Sequence, residues 1–432
     1  MGSVAKLFTQ NIIWRGLYYL VNFILTFAVA RYFQASISGT IFYVINNCAL
    51  ITLLLSISFE SAIIFFASEK EIKLSKLFHF AVLWIVGIAL LLFFIFLFVK
   101  PAFSNSFFVT HFSSALLFIL GNIMTTFMGS FYFAQKKFVF PNLISIIVSM
   151  ILILLLFCIN ENNWLTSERF LSFYFGSYLI QGVLLSLFLL RSNLNFSSFS
   201  LLNKIELSRL FKYLSLVFFS NLITFFCYRI DYWFVYYFCS AGEMGNYIQV
   251  SKLAQLFFIF PGILAAVVFP LTTGGEEKKV KEIIPALTRG ILLLYAVLCV
   301  GLGLCGKWLF PFIFGNSFSL MYPAFLFYIP GIIGFSALYI FTSFYSGRDM
   351  VMVNIKGCLL ALTITLIGDL VFVPLYGINA AAAISSCAYL AYFIFVLHAY
   401  VMEFDIPIKD FFGLHRTDLK QVRNFILKKK NP

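Results

Sequence analysis

Residues 221–270 read NLITFFCYRIDYWFVYYFCSAGEMGNYIQVSKLAQLFFIFPGILAAVVFP. Two long apolar segments are joined by a short polar turn, Ser240 to Asn246. Each is long enough for a helix to cross about 30 Å of hydrocarbon. Yet Arg229 and Asp231 sit in the first and Lys252 in the second. A charge near the bilayer centre costs roughly 2.5–3.5 kcal/mol on insertion scales. Groups placed there need partners, a water-filled cavity or a task. Arg229 and Asp231 lie on different helix faces, so the spacing predicts that they do not pair with each other. Two readings follow. Either the charges pair across helices, or Arg229 and Lys252 line a cationic cavity that receives an anion.

Composition extends this reading to the whole chain. It is 62% hydrophobic and 11% charged, with 58 Phe among 432 residues, whereas soluble domains run near 25% charged. Apolar runs recur from end to end, and they are continuous rather than alternating, which selects helices over a barrel. Spans are predicted at 11–32, 40–67, 77–99, 112–134, 141–159, 170–190, 213–239, 247–270, 287–306, 322–346, 352–373 and 379–402. The first is too long for a signal-peptide core and is read as a retained span. Cysteines such as Cys48, Cys227, Cys299 and Cys387 lie in apolar segments, and no CxxC pair suggests metal or redox chemistry.

The net charge of +13 encodes topology rather than a nucleic-acid partner. With the N-terminus inside, inner segments hold Lys6, Lys70, Lys73, Lys76, Lys136, Lys137, Arg191, Lys204, Arg209, Lys212, Lys278, Lys279, Lys281, Arg289, Arg348 and the basic tail. Outer segments hold only Arg31, Lys100, Arg169 and Lys307. The positive-inside rule then puts both termini in the cytoplasm.

The halves echo each other. Ser130-Phe-Tyr-Phe-Ala-Gln-Lys-Lys137 ends the fourth span and Ser343-Phe-Tyr-Ser-Gly-Arg-Asp349 ends the tenth, with Asn142 and Asn354 following. Tyr32-Phe33 and Gly39-x4-Val44 compare with Tyr237-Phe238 and Gly245-x4-Val250. Six helices per half is an even number, so the repeats are parallel. The expected fold is an all-α polytopic membrane protein of about twelve transmembrane helices in two six-helix parallel repeats. Residues 1–195 form the N-terminal lobe, 196–212 a cytoplasmic linker, 213–402 the C-terminal lobe and 403–432 a basic cytoplasmic tail. That tail, Phe411 to Pro432, reads either as an amphipathic helix on the anionic inner leaflet or as a solvated segment that enforces topology.

Other charges fall inside spans. Arg15 lies near the inner end of the first, where a guanidinium can snorkel to the interface or hold a phosphate bidentately. Glu60, Asp231 and Asp369 are carboxylates able to take up and release a proton or sodium ion, or to serve as hydrogen-bonded structural groups. Asp369 has Thr363 and Thr365 as candidate hydroxyl neighbours, and Gly368 for close backbone approach. There is no nucleophile–base constellation, phosphate-cradling glycine loop, Walker motif or metal-spaced histidine cluster. No cofactor and no metal are expected beyond a coupling H+ or Na+.

A family resemblance rests on specific residues: Arg229-Ile-Asp231, Met244-Gly245-Asn246-Tyr247, Lys252-Leu-Ala, Phe269-Pro270, Leu309-Phe-Pro-Phe-Ile-Phe-Gly315-Asn-Ser-Phe318, and Val373-Pro374-Leu-Tyr-Gly377-Ile-Asn-Ala-Ala-Ala382. These resemble the Wzx-like O-antigen and polysaccharide flippases of the multidrug/oligosaccharidyl-lipid/polysaccharide exporter (MOP/MATE-like) superfamily. An alanine run replaces the family's usual glycine before the last helix. The resemblance implies alternating access by two six-helix lobes in the bacterial inner membrane. Its substrate would be a polyprenyl-pyrophosphate-linked oligosaccharide, with the pyrophosphate meeting Arg15, Arg229 or Lys252 and a polysaccharide polymerase as a possible partner. The rival readings are a multidrug exporter of the same superfamily and a membrane enzyme, an O-antigen polymerase or acyltransferase. The exporter should favour carboxylates over cations. The enzymes should show a large outer loop or a His/Asp pair at a membrane face, and neither is evident.

Overall fold

The computed structural model describes residues 2–69, 71–99, 112–158, 165–191, 200–273 and 277–413, and every longer regular element among them is an α-helix. In chain order these are α1 (Gly2–Ser56), α2 (Phe59–Ser68), α3 (Leu74–Val99), α4 (Phe112–Ala134), α5 (Val139–Cys158), α6 (Ser167–Arg191) and α7 (Lys204–Arg229). There follow α8 (Asp231–Phe238), α9 (Ala241–Phe257), α10 (Ile259–Thr273), α11 (Glu277–Phe314), α12 (Met321–Gly347) and α13 (Val351–Phe404).

Ten helical stretches among the described residues are long and apolar enough to cross a membrane. The two longest, of 44 and 54 residues, would measure about 65 and 80 Å as straight helices. Each is in fact two helices joined at one non-helical residue, Gln34 (φ 61°) in α1 and Gly377 (φ 61°) in α13. Counted as pairs, they bring the stretches to the expected twelve spans. Glycine takes this conformation at no steric cost. Gln34 does not, and the turn there is secured by the Ala35 N–H donating to Ser317 Oγ at 3.1 Å.

Two expected spans depart from a regular helix. The second breaks at Ile57 and Ser58, both left-handed (φ 48° and 57°). Side chains satisfy groups at the break: Trp84 Nε1 donates to the Leu55 carbonyl at 3.0 Å and Asn221 Nδ2 to Ser58 Oγ at 3.0 Å. The seventh runs on from Lys204 to Phe238, but its ladder tightens at Ile230 (φ −67°, ψ −31°), whose carbonyl accepts from Trp233 N three residues on at 3.1 Å. The stretch expected to link the lobes is already helical from Lys204, where Asn203 and Glu206 form a reciprocal cap with both bonds at 2.8 Å.

The chain divides into two compact units, Met1–Phe33 with Ile41–Leu222, and Gln34–Thr40 with Ile223–Pro432. In the first, α4 and α6 meet through glycines. A Cβ on Gly182 would lie 2.6 Å from the Met124 Cβ, and one on Gly121 would strike the Leu179 backbone. Small residues let membrane helices approach closely, where dispersion replaces the hydrophobic effect. In the second unit α12 packs along α13 by the same device, at Gly331 against Ser386 (2.7 Å to its Cα) and Gly334 against Leu390 (2.6 Å).

The sequence repeat is visible in backbone detail. Lys137 N donates to the Tyr132 carbonyl (2.9 Å) and Lys136 N to Phe133 (2.9 Å). At the repeat position Met350 N donates to Tyr345 (2.8 Å) and Asp349 N to Ser346 (3.3 Å). These are two copies of one helix-ending motif, each with a left-handed residue, Lys136 (φ 61°) and Asp349 (φ 62°). After α13 the chain docks Phe411, fully buried, against Phe341 and Tyr400. The remainder of the expected tail, 414–432, lies outside the described residues, as do Lys70 and Lys100, which entered the topology argument.

Candidate functional site

The second unit gathers four of the six residues singled out from sequence. Asp231 opens α8 and is 2% exposed. Its Oδ1 accepts the Tyr232 N–H at 2.9 Å, and its Oδ2 accepts a short bond from the Tyr247 hydroxyl and one from Ser385 Oγ at 3.5 Å. Tyr247 also shares a 3.1 Å bond with Ser385. Asp231 is thus held by groups from α9 and α13 as well as by its own helix.

Asp369, in α13, is fully buried, and neither of its carboxyl oxygens has a hydrogen-bond partner among the described residues. The expected hydroxyl neighbours turn elsewhere: Thr363 donates to the Leu359 carbonyl (2.9 Å) and Thr365 to that of Ala361 (3.1 Å). This is the usual back-bonding of threonine to the preceding helical turn. Gly368 does permit the close approach expected of it, against Ile384 at 2.7 Å from a built Cβ. Asp369 lies within electrostatic reach of Asp231 and of Tyr247. Asp231, Tyr247 and Ser385 thus form a hydrogen-bonded oxygen cluster, and Asp369 lies within electrostatic reach of it and of Cys239. Among the described residues no three His, Cys, Asp or Glu side chains cluster as a metal site.

Arg229 closes α7, makes no hydrogen bond to either carboxylate among the described residues, and lies within electrostatic reach of Asp231. Its Nη1 donates to the Tyr232 hydroxyl at 2.9 Å and its Nη2 to Gln255 Oε1 at 2.8 Å, with the guanidinium 5.2 Å from the Tyr232 ring centroid. Both partners are neutral groups, and the two hydrogen bonds orient the guanidinium. Lys252, also half-buried, lies within electrostatic reach of Arg229. As the spacing predicts, Arg229 and Asp231 make no direct hydrogen bond to each other; Tyr232 stands between them, its N–H on Asp231 and its hydroxyl on Arg229.

Arg15 and Glu60 belong to the first unit. Arg15 is exposed on α1, with Nε donating to the Tyr19 hydroxyl at 3.3 Å. Glu60 begins α2, directly after the break at Ser58, and its Oε2 is buried with no hydrogen-bond partner among the described residues.

Sequence reading missed Tyr232, Tyr247, Gln255 and Ser385. A signal for two of them was present, because Tyr247, Ser251 and Gln255 recur every fourth residue and so share one face of α9.

No protein-family model and no curated protein matches the chain. Solved structures do. A lipid II flippase, MurJ, in an inward closed conformation superposes with a TM-score of 0.68 at 15% identity, over 97% of this chain and 96% of that one. The fold is that of the MOP-superfamily transporters. An inward-facing multidrug resistance MATE transporter of that superfamily matches at TM-score 0.66 and 11% identity, over 96% of both chains. The Vibrio cholerae MATE transporter VcmN in its bent form matches at 0.59 and 12%, over 95% of this chain and 99% of that one. Identities this low establish architecture, which lipid flippases and drug exporters share.

Proposed function

We propose that the chain is a flippase that moves polyprenyl-pyrophosphate-linked oligosaccharide units across the bacterial inner membrane, for O-antigen, capsule or exopolysaccharide assembly. The observation that carries this reading is the setting of Arg229. An arginine within a membrane-spanning stretch, positioned by the neutral groups of Tyr232 and Gln255 and with Asp231 within electrostatic reach rather than hydrogen-bonded to it, is suited to receive an anion. A guanidinium binds phosphate oxygens bidentately, and Lys252 is a second basic side chain within electrostatic reach of it. Arg15 supplies a further candidate phosphate contact in the first unit.

Asp231 and Asp369 are assigned to cation coupling, with Glu60 a further candidate in the first unit. Burial of the pair (2% and 0% exposed) suits H+ or Na+ rather than a bulky organic cation. This supports the flippase reading over the drug-exporter one, which should favour carboxylates over cations in its cavity.

The test is deletion of the gene in its source organism, followed by analysis of lipid-linked sugars and surface glycan. Complete units stranded on the inner leaflet, with loss of surface glycan, would be the expected outcome. Normal glycan with altered drug sensitivity would favour the exporter.

A further inference from the structure

In the first unit, three helices turn polar faces toward one place. Tyr18 and Asn22 lie four apart on α1, Ser145 and Ser149 four apart on α5, and Tyr174, Tyr178 and Gln181 follow one face of α6. Hydrogen bonds tie the faces together. Ser149 Oγ donates to Asn22 Oδ1 (3.4 Å), Ser145 Oγ donates to Gln181 Oε1 (2.9 Å), and the Tyr174 and Tyr178 hydroxyls share one bond of 3.2 Å. Tyr18 is within electrostatic reach of both Tyr174 and Tyr178. Phe118 of α4 packs beside them, with ring centroids 4.8 Å from Tyr178 and 6.3 Å from Tyr174.

The cluster leaves hydrogen-bonding capacity unspent. The Tyr18 hydroxyl makes no hydrogen bond to a described residue, and the other two tyrosines spend a single bond between them. A phenol both donates and accepts, and a carboxamide nitrogen carries two donors, yet Gln181 uses only its oxygen among the described residues. Tyr18, Tyr174 and Tyr178 are all half-buried. Lipid offers such groups no partner. This chain uses Phe far more often than Tyr, 58 against 22, so packing alone is served elsewhere by the residue without the hydroxyl.

We infer that this tyrosine and amide cluster is a saccharide-recognition surface, holding the sugar portion of the translocated substrate. The chemistry is selective. Every group in the cluster is neutral and most both donate and accept, as sugar hydroxyls do, while the ring faces suit the apolar C–H face of a pyranose. Arg15 lies three residues before Tyr18 on α1 and is exposed, so phosphate contact and sugar contact are adjacent but chemically distinct. The inference rests on the flippase reading and deepens it.

The probe is the oligosaccharide released by mild acid from the lipid-linked pool of a deletion strain, so that it carries no polyprenyl tail. Its binding to the purified full-length protein is measured for the wild type, Tyr18→Phe, Tyr178→Phe and Gln181→Leu. Each cluster variant should weaken binding by about three- to tenfold, as expected for one neutral hydrogen bond, with melting temperature held as a folding control. Wild-type binding that both Tyr→Phe variants preserve would overturn the inference, as would failure of the wild type to bind the probe while it still flips the lipid-linked form. Absence of flipping together with normal surface glycan in the deletion strain would instead overturn the function on which the inference rests.

Discussion

A Cβ built on Gly39 lies 2.7 Å from the Cα of Gly245, and one built on Gly245 would collide with the Ala35 carbonyl. These two glycines are the positions that the sequence repeat equates, so residues related by the repeat meet backbone to backbone. Gly245→Ala should therefore destabilise the second unit by about 1–3 kcal/mol, the usual cost of overpacking. A thermal melt in detergent checks this. An unchanged midpoint would show that the contact is looser than described.

The two helix-ending motifs make a finer prediction. Lys136 and Asp349 both occupy the left-handed region, where a side chain costs roughly 1–2 kcal/mol and Asp is better tolerated than most. Replacing either by glycine should stabilise the protein, and Lys136→Gly should gain more than Asp349→Gly. The reverse order would mean that side-chain contacts, not backbone strain, dominate at these caps.

Asp231 and Asp369 should respond differently to substitution. Removing the Asp231 side chain strands the Tyr247 and Ser385 hydroxyls, so Asp231→Ala should cost about 1–3 kcal/mol. Asp369 has no hydrogen bonds to lose, and burying an unpaired carboxylate is expensive. Asp369→Asn should be at least as stable as the wild type while losing ion-driven transport at least tenfold. A loss of stability with transport intact would make Asp369 a structural group.

Arg229→Ala should reduce export of surface polysaccharide about 10- to 100-fold at normal protein level, in line with about 1.5–3 kcal/mol for hydrogen bonds to a charged group. Arg229→Lys should recover only part of this, because a lysine cannot bind two phosphate oxygens and Gln255 in one plane. Full export by the alanine variant would remove Arg229 from the substrate path.

The spans and the repeat were legible because hydropathy and cap chemistry are local. Residues that cannot leave the bilayer announce themselves by length, and the S-F-Y segments carried their helix endings with them. The break at Ser58 was not legible, because no proline or glycine marks it and the compensating bonds come from Trp84 and Asn221 far along the chain. The charged members of the candidate site stood out against an apolar background. Their neutral partners did not: Tyr247, Gln255 and Ser385 look like ordinary interfacial polar residues until the helices bring them to Asp231 and Arg229. Thr363 and Thr365 misled for the opposite reason, since closeness in sequence did not outweigh the carbonyls of their own helix.

The central claim is tested most directly by reconstitution. Purified protein is placed in liposomes loaded on one leaflet with the lipid-linked oligosaccharide from a deletion strain, and the sugar reaching the other leaflet is measured by oxidation with an impermeant reagent. Sugar movement that requires the protein, responds to a proton or sodium gradient and falls at least tenfold in Arg229→Ala is the predicted result. Protein that is folded yet moves no lipid-linked sugar, while carrying organic cations along the same gradient, would contradict it.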